Sequence, residues 1–289
     1  MKLEQNELRH LCSLAIRAAE EAGDFISKSA NTNIDINRKE NGASLASQVV
    51  TAIDLNSQKI ILKTLEPTLR EYELGLLTEE SEDDKSRLNT DYFWCIDPLD
   101  GTLPFTEGVP GYAVAIALIA KDGTPIIGVI HDPRTQVTYH ALKGDGAFKN
   151  NTRWKMCVDD QSKKPLKVMW DRSFLKNERY DEATATTEAV AEALGCPGVE
   201  IQTQGGGVMY AMWILDSPSG CYFKYPKKKG GGHIWDFAAS ACIFNEIGAV
   251  ATDMRGQPLD LNRPDATIMN HTGILFTDSH EAARIILDC

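Results

Sequence analysis

The segment Asp97-Pro98-Leu99-Asp100-Gly101-Thr102 holds the residues of this chain best suited to chemistry. Two carboxylates three positions apart, bent toward each other by a proline turn, can share a hard cation, and the Leu99 carbonyl can supply a further oxygen ligand. Gly101 lets the backbone come close to an anion, and Thr102 adds a hydroxyl. The amides of both can hold a phosphate oxygen if a helix or nest starts there. Asp-Pro and Asp-Gly are also ordinary turn dipeptides, so the segment equally reads as a turn that ends a strand.

Three other segments extend the acidic set. Thr78-Glu79-Glu80-Ser81 begins a run of acids through Asp84 that by itself reads as a solvated loop. Trp235-Asp236-Phe237 opens an apolar helix, where an aspartate is an ordinary cap. Asp54 follows the strand-like Val49-Val50-Thr51 and can cap a helix as well. Aspartate and glutamate oxygens without histidine or thiolate partners suit magnesium or manganese rather than zinc. Together they point to hard-metal phosphate chemistry.

The elements that must position these groups follow from periodicity. Apolar residues from Leu8 through Phe25 recur at spacings of three and four, which predicts an amphipathic helix over 4–29. A second helix is expected after Asp54, stopped by Pro67. Tyr92 to Ile96, Tyr112 to Ala120, Pro125 to His131 and Thr138 to Leu142 read as strands, with Asp122-Gly123 and Gly144 to Gly146 as turns. The N-terminal half is therefore read as helices packed on a largely antiparallel sheet, residues 1–160, carrying most of the acidic set. Residues 161–289, after a polar proline-containing break at Lys163 to Pro165, alternate strands (166–170, 249–252, 274–277) with helices (181–194, 206–215, 236–246, 279–287). This predicts a layered α+β or α/β lobe contributing Asp236.

Composition narrows the function classes. At 289 residues, 43% apolar and 25% charged, the chain reads as an ordinary globular protein of one or two lobes. A net charge of −11 disfavours nucleic-acid polymers as partners. No run nears the roughly 20 apolar residues of a membrane span, and the polar MKLEQNELRH start does not read as a signal peptide, so a cytoplasmic location is expected. The seven cysteines are scattered without a CxxC pair and read as reduced thiols rather than a zinc site.

With Val50 to Asp54 (VTAID), Glu79 to Ser81 (EES), Asp97 to Thr102 (DPLDGT) and Trp235-Asp236 in this order and rough spacing, the chain resembles the inositol monophosphatase superfamily of lithium-sensitive phosphatases. GVIHDP at 128–133 and GDGAF at 144–148 extend the likeness. The resemblance implies a layered αβαβα sandwich of the sugar-phosphatase type, a homodimer, and two or three magnesium ions that manganese can replace and lithium inhibits. It implies that Glu79, Asp97 and the Leu99 carbonyl hold one metal, and Asp97, Asp100 and Asp236 a second. Asp54 and Thr102, helped by Glu79, would position or deprotonate water, and the Gly101 and Thr102 amides would bind phosphate. The physical logic is metal-activated water, with no covalent phosphoenzyme.

Departures from the family concern the substrate side. Thr78 stands where the family usually has glycine, and Pro104 where it has asparagine or glutamate. Inositol monophosphatases carry a glutamate shortly before the WD, whereas this chain has Tyr225-Pro226-Lys227-Lys228-Lys229 followed by three glycines. These lysines, Lys229 nearest the glycines, either favour a second phosphate or form a solvated basic loop. Phe105 to Gly108 and Met269-Asn270 resemble the family's bisphosphate nucleotidases, and Gly206 in a glycine-rich turn is a candidate substrate contact. Inositol monophosphate and 3'-phosphoadenosine 5'-phosphate are the expected substrates. A fructose-1,6-bisphosphatase-like enzyme and a non-catalytic sensor of phosphorylated metabolites are the alternatives. The haloacid dehalogenase pattern does not fit, because it separates its two aspartates by one residue and follows the first strand of a parallel sheet.

Overall fold

A computed structural model describes residues 2–39, 43–156, 164–217 and 219–289, with side chains outside 31–49. Five layers stack in it. The first is the helix pair α1 (Gln5–Lys39) and α2 (Ala43–Glu71). The second is a seven-stranded sheet in chain order: β1 (Gly75–Thr78), β2 (Tyr92–Asp100), β3 (Ala113–Ala120), β4 (Pro125–Asp132), β5 (Val137–Leu142), β6 (Gly146–Lys149) and β7 (Thr152–Arg153). β1 pairs with β2 in parallel and the remaining pairs are antiparallel. The short helix α3 (Thr102–Glu107) joins β2 to β3.

The third layer is α5 (Gly207–Asp216) with α6 (Ile234–Ile247). A second sheet follows, formed by β8 (Leu166–Met169), β9 (Val199–Gln202), β10 (Gly220–Lys224), β11 (Val250–Thr252) and β12 (Ile274–Thr277), in the order β11-β12-β10-β8-β9. The helices α4 (Tyr180–Ala193) and α7 (His280–Asp288) cover its outer face.

Side-chain alternation shows how the layers adhere. In β3, Val114, Ile116 and Leu118 face α1 and α2, while Ala113, Ala115 and Ala117 face the middle helices. The alanines let α6 lie close against the sheet. In the second sheet Tyr222 and Phe276 point to the middle layer, and Cys221, Phe223 and Leu275 to the outer helices. Both sheets are thus covered on both faces, as the αβαβα sandwich requires. Trp94, fully buried, donates from Nε1 to Thr68 Oγ1 at 2.9 Å and anchors β2 to α2 just before the acidic segment. A ring buried in this way is worth about 3–5 kcal/mol.

Several sequence expectations change. The first helix runs on to Lys39, past the expected end at 29. Val49 to Thr51 is helical rather than strand-like, and Asp54 lies inside α2 instead of capping it. The β-branched run is overridden by tertiary packing, because Val50, Ile53, Ile61 and Leu65 recur on one buried face. Pro67 does not stop the helix. It is exposed, as is Lys63 one turn before, so the carbonyl that loses its partner faces water. Strands β9 and β10 were not foreseen. The expected lobe boundary near 160 lies outside the described residues.

Candidate active site

The strand β2 does not end at a free turn before Asp97. It continues to Asp100, but its register against β3 slips: Asp97 pairs with Ala115 and Asp100 with Ala113, three steps against two. In an unbroken strand, positions three apart face opposite sides of the sheet. The one-residue bulge returns Asp100 to the same side as Asp97, the side of the middle helices. Leu99, between them, is buried, and its N–H donates to Asp97 Oδ1 at 3.0 Å. Asp100 is 8% exposed, so it does not sit on a solvent-facing turn.

Asp236 arrives from the other half of the chain. It occupies the first turn of α6, where its carboxylate accepts the His233 N–H at 2.5 Å in a capping box. The His233 ring stacks on Trp235 and pairs with Thr267, a structural role. One oxygen each of Asp97, Asp100 and Asp236 falls within 4.8 Å of the others.

The middle helix α5 fixes Asp100. Val208 N–H donates to Asp100 Oδ2 at 2.9 Å, and Gly206 N–H reaches across to Gly111 O at 2.7 Å. Gly206 approaches so closely that a Cβ on it would lie 2.2 Å from Asp100 Oδ2. The carboxylate therefore requires glycine here, and Gly206 also lines the cavity beside it. Gly206→Ala is expected to displace Asp100 and lower turnover about a hundredfold, the cost of a misplacement near 1 Å. Phosphate-release kinetics check it, alongside a circular dichroism spectrum like that of the parent protein.

Glu79 follows β1, its N–H donating to Ile96 O at 3.2 Å, and its carboxyl group neighbours that of Asp97. Asp54, Ser57 and Gln58 share one face of α2, and all three are buried. Ser57 Oγ donates to Pro98 O at 2.8 Å, and Gln58 Nε2 donates to Ser81 Oγ at 2.9 Å. Neither Ser57 nor Gln58 was picked out from sequence. Their only signal is the i, i+3, i+4 spacing from Asp54, and it is readable only once α2 is known to start before it. Farther along the acidic run, Asp83 accepts from Arg87 Nε at 2.9 Å. Arg87 is fully buried and also donates to Asn262 Oδ1, so this loop is latched to the C-terminal half rather than freely solvated.

The carboxylates strain against one another. Burial, then Glu79, Asp100 and Asp236, push Asp97 well above the ordinary carboxylate range. Burial and Asp236 do the same to Asp100, against the Val208 N–H. Asp236 is also raised by burial, opposed by the His233 N–H and Lys224. Glu79, although its side chain is exposed, is raised too, by partial loss of hydration, opposed by the neighbouring Asp97 carboxyl. Asp54 is likewise lifted to about 7, by burial and then by Glu80 and Glu79. A crowded, oxygen-only donor set of this kind fits a hard divalent cation, whose charge would relieve the repulsion.

A cavity of about 590 Å³ opens onto this cluster and is lined by Asp100, Gly101, Thr102 and Asp236. Asp54, Glu79 and Asp97 are not among its lining residues. Gly101 takes a left-handed conformation (φ 82°), which turns the chain from β2 into α3 beginning at Thr102. Cations line the cavity too: Arg172, Lys224 and Lys227. Arg172 forms a two-pronged pair with Glu107 of α3, both contacts at 2.6 Å, which ties the two halves together at the cavity. Lys224 Nζ lies 2.8 Å from Asp171 Oδ2. Burial works against its charge, but Tyr222 and Asp171 hold its pKa above the ordinary value. Lys229 is exposed and not on the wall; Lys227, whose N–H bonds to Asn270 O, takes that place. Lys224, three residues before the run of lysines, was not singled out from sequence, and neither was the strand β10 that it ends.

A layered αβαβα sandwich with an acidic, oxygen-only centre fed from both halves of the chain defines a class of metal-handling phosphate proteins. The match of residues 7–286 to the model of the inositol monophosphatase family shows that this chain belongs to that family. It is 28% identical over 253 residues to a Nus factor SuhB of Vibrio cholerae, covering 85% of this chain and 86% of the relative. It is 25% identical to a 3'(2'),5'-bisphosphate nucleotidase CysQ of Aggregatibacter actinomycetemcomitans, covering 90% of each. An inositol-1-monophosphatase of Bacillus subtilis is also 25% identical, over 82% of this chain and 83% of the relative. In fold, the chain resembles an inositol monophosphatase from Anabaena with a TM-score of 0.69 at 21% identity, covering 98% and 97% of the two chains.

Proposed function

We propose that the protein is a magnesium-dependent phosphomonoesterase acting on a small phosphorylated metabolite, with its site between a lobe of residues 1–160 and a lobe of residues 161–289. The observation that carries this reading is the convergence of Asp97, Asp100 and Asp236 at a cavity that also presents Gly101, Thr102 and a cationic wall. Family membership supports a phosphatase, and magnesium dependence is implied by the family.

In this reading Glu79, Asp97, Asp100, Asp236 and the Leu99 carbonyl hold the metal. When bound, the metal lowers the pKa of water and neutralises charge on the phosphate and the leaving oxygen. The residues divide the remaining work. Asp54, with Thr102 and Glu79, orients a water and takes its proton as the oxygen–phosphorus bond forms. The Gly101 and Thr102 amides hold phosphate oxygens. The phosphorus–oxygen bond to the leaving group breaks on the opposite side, the departing alkoxide takes a proton from a solvent water to become the alcohol, and Asp54 returns its proton to solvent.

The relatives' names include a nucleotidase and an inositol monophosphatase, so the choice between nucleotide and inositol rests on the wall. Lys227, beside Lys224 and Arg172 whose charges are shared with Asp171 and Glu107, supports a substrate with a second anionic group. The reading also takes the protein as a homodimer, as the resemblance implies, and as cytoplasmic, as its polar start and lack of a long apolar run suggest. The test is phosphate release with magnesium from inositol 1-phosphate, adenosine 3',5'-bisphosphate and fructose 1,6-bisphosphate, with and without lithium. Preference for a bisphosphate with lithium inhibition is expected. Magnesium-dependent binding without release from any of them would replace the enzyme by a sensor.

A further inference from the structure

One amide side chain governs the turn that carries Glu79. Thr78 Oγ1 donates to Gln58 Oε1, and the Glu80 N–H reaches the same oxygen at 3.3 Å. On its other side Gln58 Nε2 donates to Ser81 Oγ at 2.9 Å. The two acceptor sites of the amide oxygen and one of its donors are therefore all spent on Thr78, Glu80 and Ser81, the neighbours of Glu79. Gln58 is 6% exposed and Thr78 3%, so water cannot readily replace either partner. The preceding residue, Ser57, pins the other acidic turn through Pro98 O. Adjacent residues of a single helix thus hold both turns. The turns are also joined to each other by the Thr78–Ile96 register and the Glu79 N–H to Ile96 O at 3.2 Å.

We propose that Gln58, with Thr78 as its partner, is a positioning residue that sets the metal affinity of this site by holding the Glu79 turn against the Asp97 turn. The inference rests on the metal-dependent reading above. The crowded carboxylates repel, and the Glu79 turn is the one with no helix of its own to restrain it. Asp100 is held by α5 and Asp236 by α6, whereas Glu79 depends on what its neighbouring residues are tied to. Thr78, which departs from the glycine usual in the family, supplies the hydroxyl for a bond that glycine cannot make.

The test compares Gln58→Met, Thr78→Val and the double variant with the parent chain. It reads the magnesium concentration at half-maximal phosphate release and, independently of turnover, the magnesium midpoint of the rise in melting temperature. Gln58→Met is expected to raise both midpoints roughly tenfold, as loss of a group that orients a metal ligand does. Thr78→Val should raise them roughly threefold, the effect of one hydrogen bond. The double variant should be no worse than Gln58→Met, because the two share one bond. At saturating magnesium, KM for the substrate should match the parent's. Lower metal-free melting temperatures with unchanged magnesium midpoints would reduce Gln58 to a structural role and overturn the inference. Should Gln58→Met fail to fold, Thr78→Val decides alone. A parent chain with no magnesium-dependent shift would sink the metal-dependent reading itself, an outcome distinct from variants that bind as the parent does.

Discussion

Asp100→Asn should cut turnover on the order of a thousandfold or more, since a metal-held charge supplies several kcal/mol to the transition state. The same substitution should raise the melting temperature of the metal-free protein. Asp100 is buried, beside Asp236 and within reach of Glu79, and its ionised form is held against that repulsion mainly by the Val208 N–H. An asparagine oxygen can keep that bond while removing the repulsion. The gain should be a few degrees in a chain of this size, for about 1 kcal/mol of relief. A site that is costly to fold and needed for chemistry shows this exchange of stability for activity. Melting curves in chelator and in magnesium, run beside phosphate release, check both halves. Parental turnover, or an undiminished magnesium-induced rise in melting temperature, would remove Asp100 from the proposed metal site.

Much of the site was legible because its parts are local. The Asp97–Thr102 segment announces two carboxylates and an anion-friendly glycine in six residues. What could not be read was how they come to face the same way. A spacing of three along a strand puts side chains on opposite faces, and only the bulge opposite Ala113 and Ala115 reverses that. Four strands of the first sheet, β2 to β5, were visible as apolar runs, since both faces are buried and few polar residues interrupt them, whereas β1, β6 and β7 were not. The start of α2 was not. Val49-Val50-Thr51 has strand propensity, and its helical state is imposed by packing, so Asp54 was placed at a cap when it stands mid-helix.

The cation on the substrate side was misplaced for a related reason. A run of three lysines draws attention to itself, yet Lys229 projects into solvent. Lys224, inconspicuous at the end of a strand, reaches the cavity because β10 lies in the second sheet with its end toward the site. Charge density along the sequence therefore pointed to Lys227, which lines the cavity, but not to Lys224. Sheet order, which depends on long-range pairing, brings Lys224 to the same cavity.

Asp54→Asn should lower kcat between about a hundredfold and ten-thousandfold, the range for a positioned general base, with the magnesium midpoint little changed because Asp54 is not a proposed ligand. It should also change how stability depends on pH. The Asp54 carboxyl is lifted from 3.8 to about 7, first by burial and then by Glu80 and Glu79. Between those values the folded chain keeps a proton that the unfolded chain has lost, so stability falls as pH rises through that window and levels off above it. Each decade of proton affinity is worth about 1.4 kcal/mol, which makes the drop a few kcal/mol in order of magnitude. Asparagine carries no such proton. In chelator, the melting temperature of the parent chain relative to Asp54→Asn should therefore decline from about pH 4 to about pH 7. Glu79 titrates in both proteins and largely cancels in the comparison. Parallel pH curves for the two proteins would show that Asp54 ionises as an ordinary surface carboxylate, poorly matched to taking a proton from water near neutral pH, and the role of general base would pass to another group.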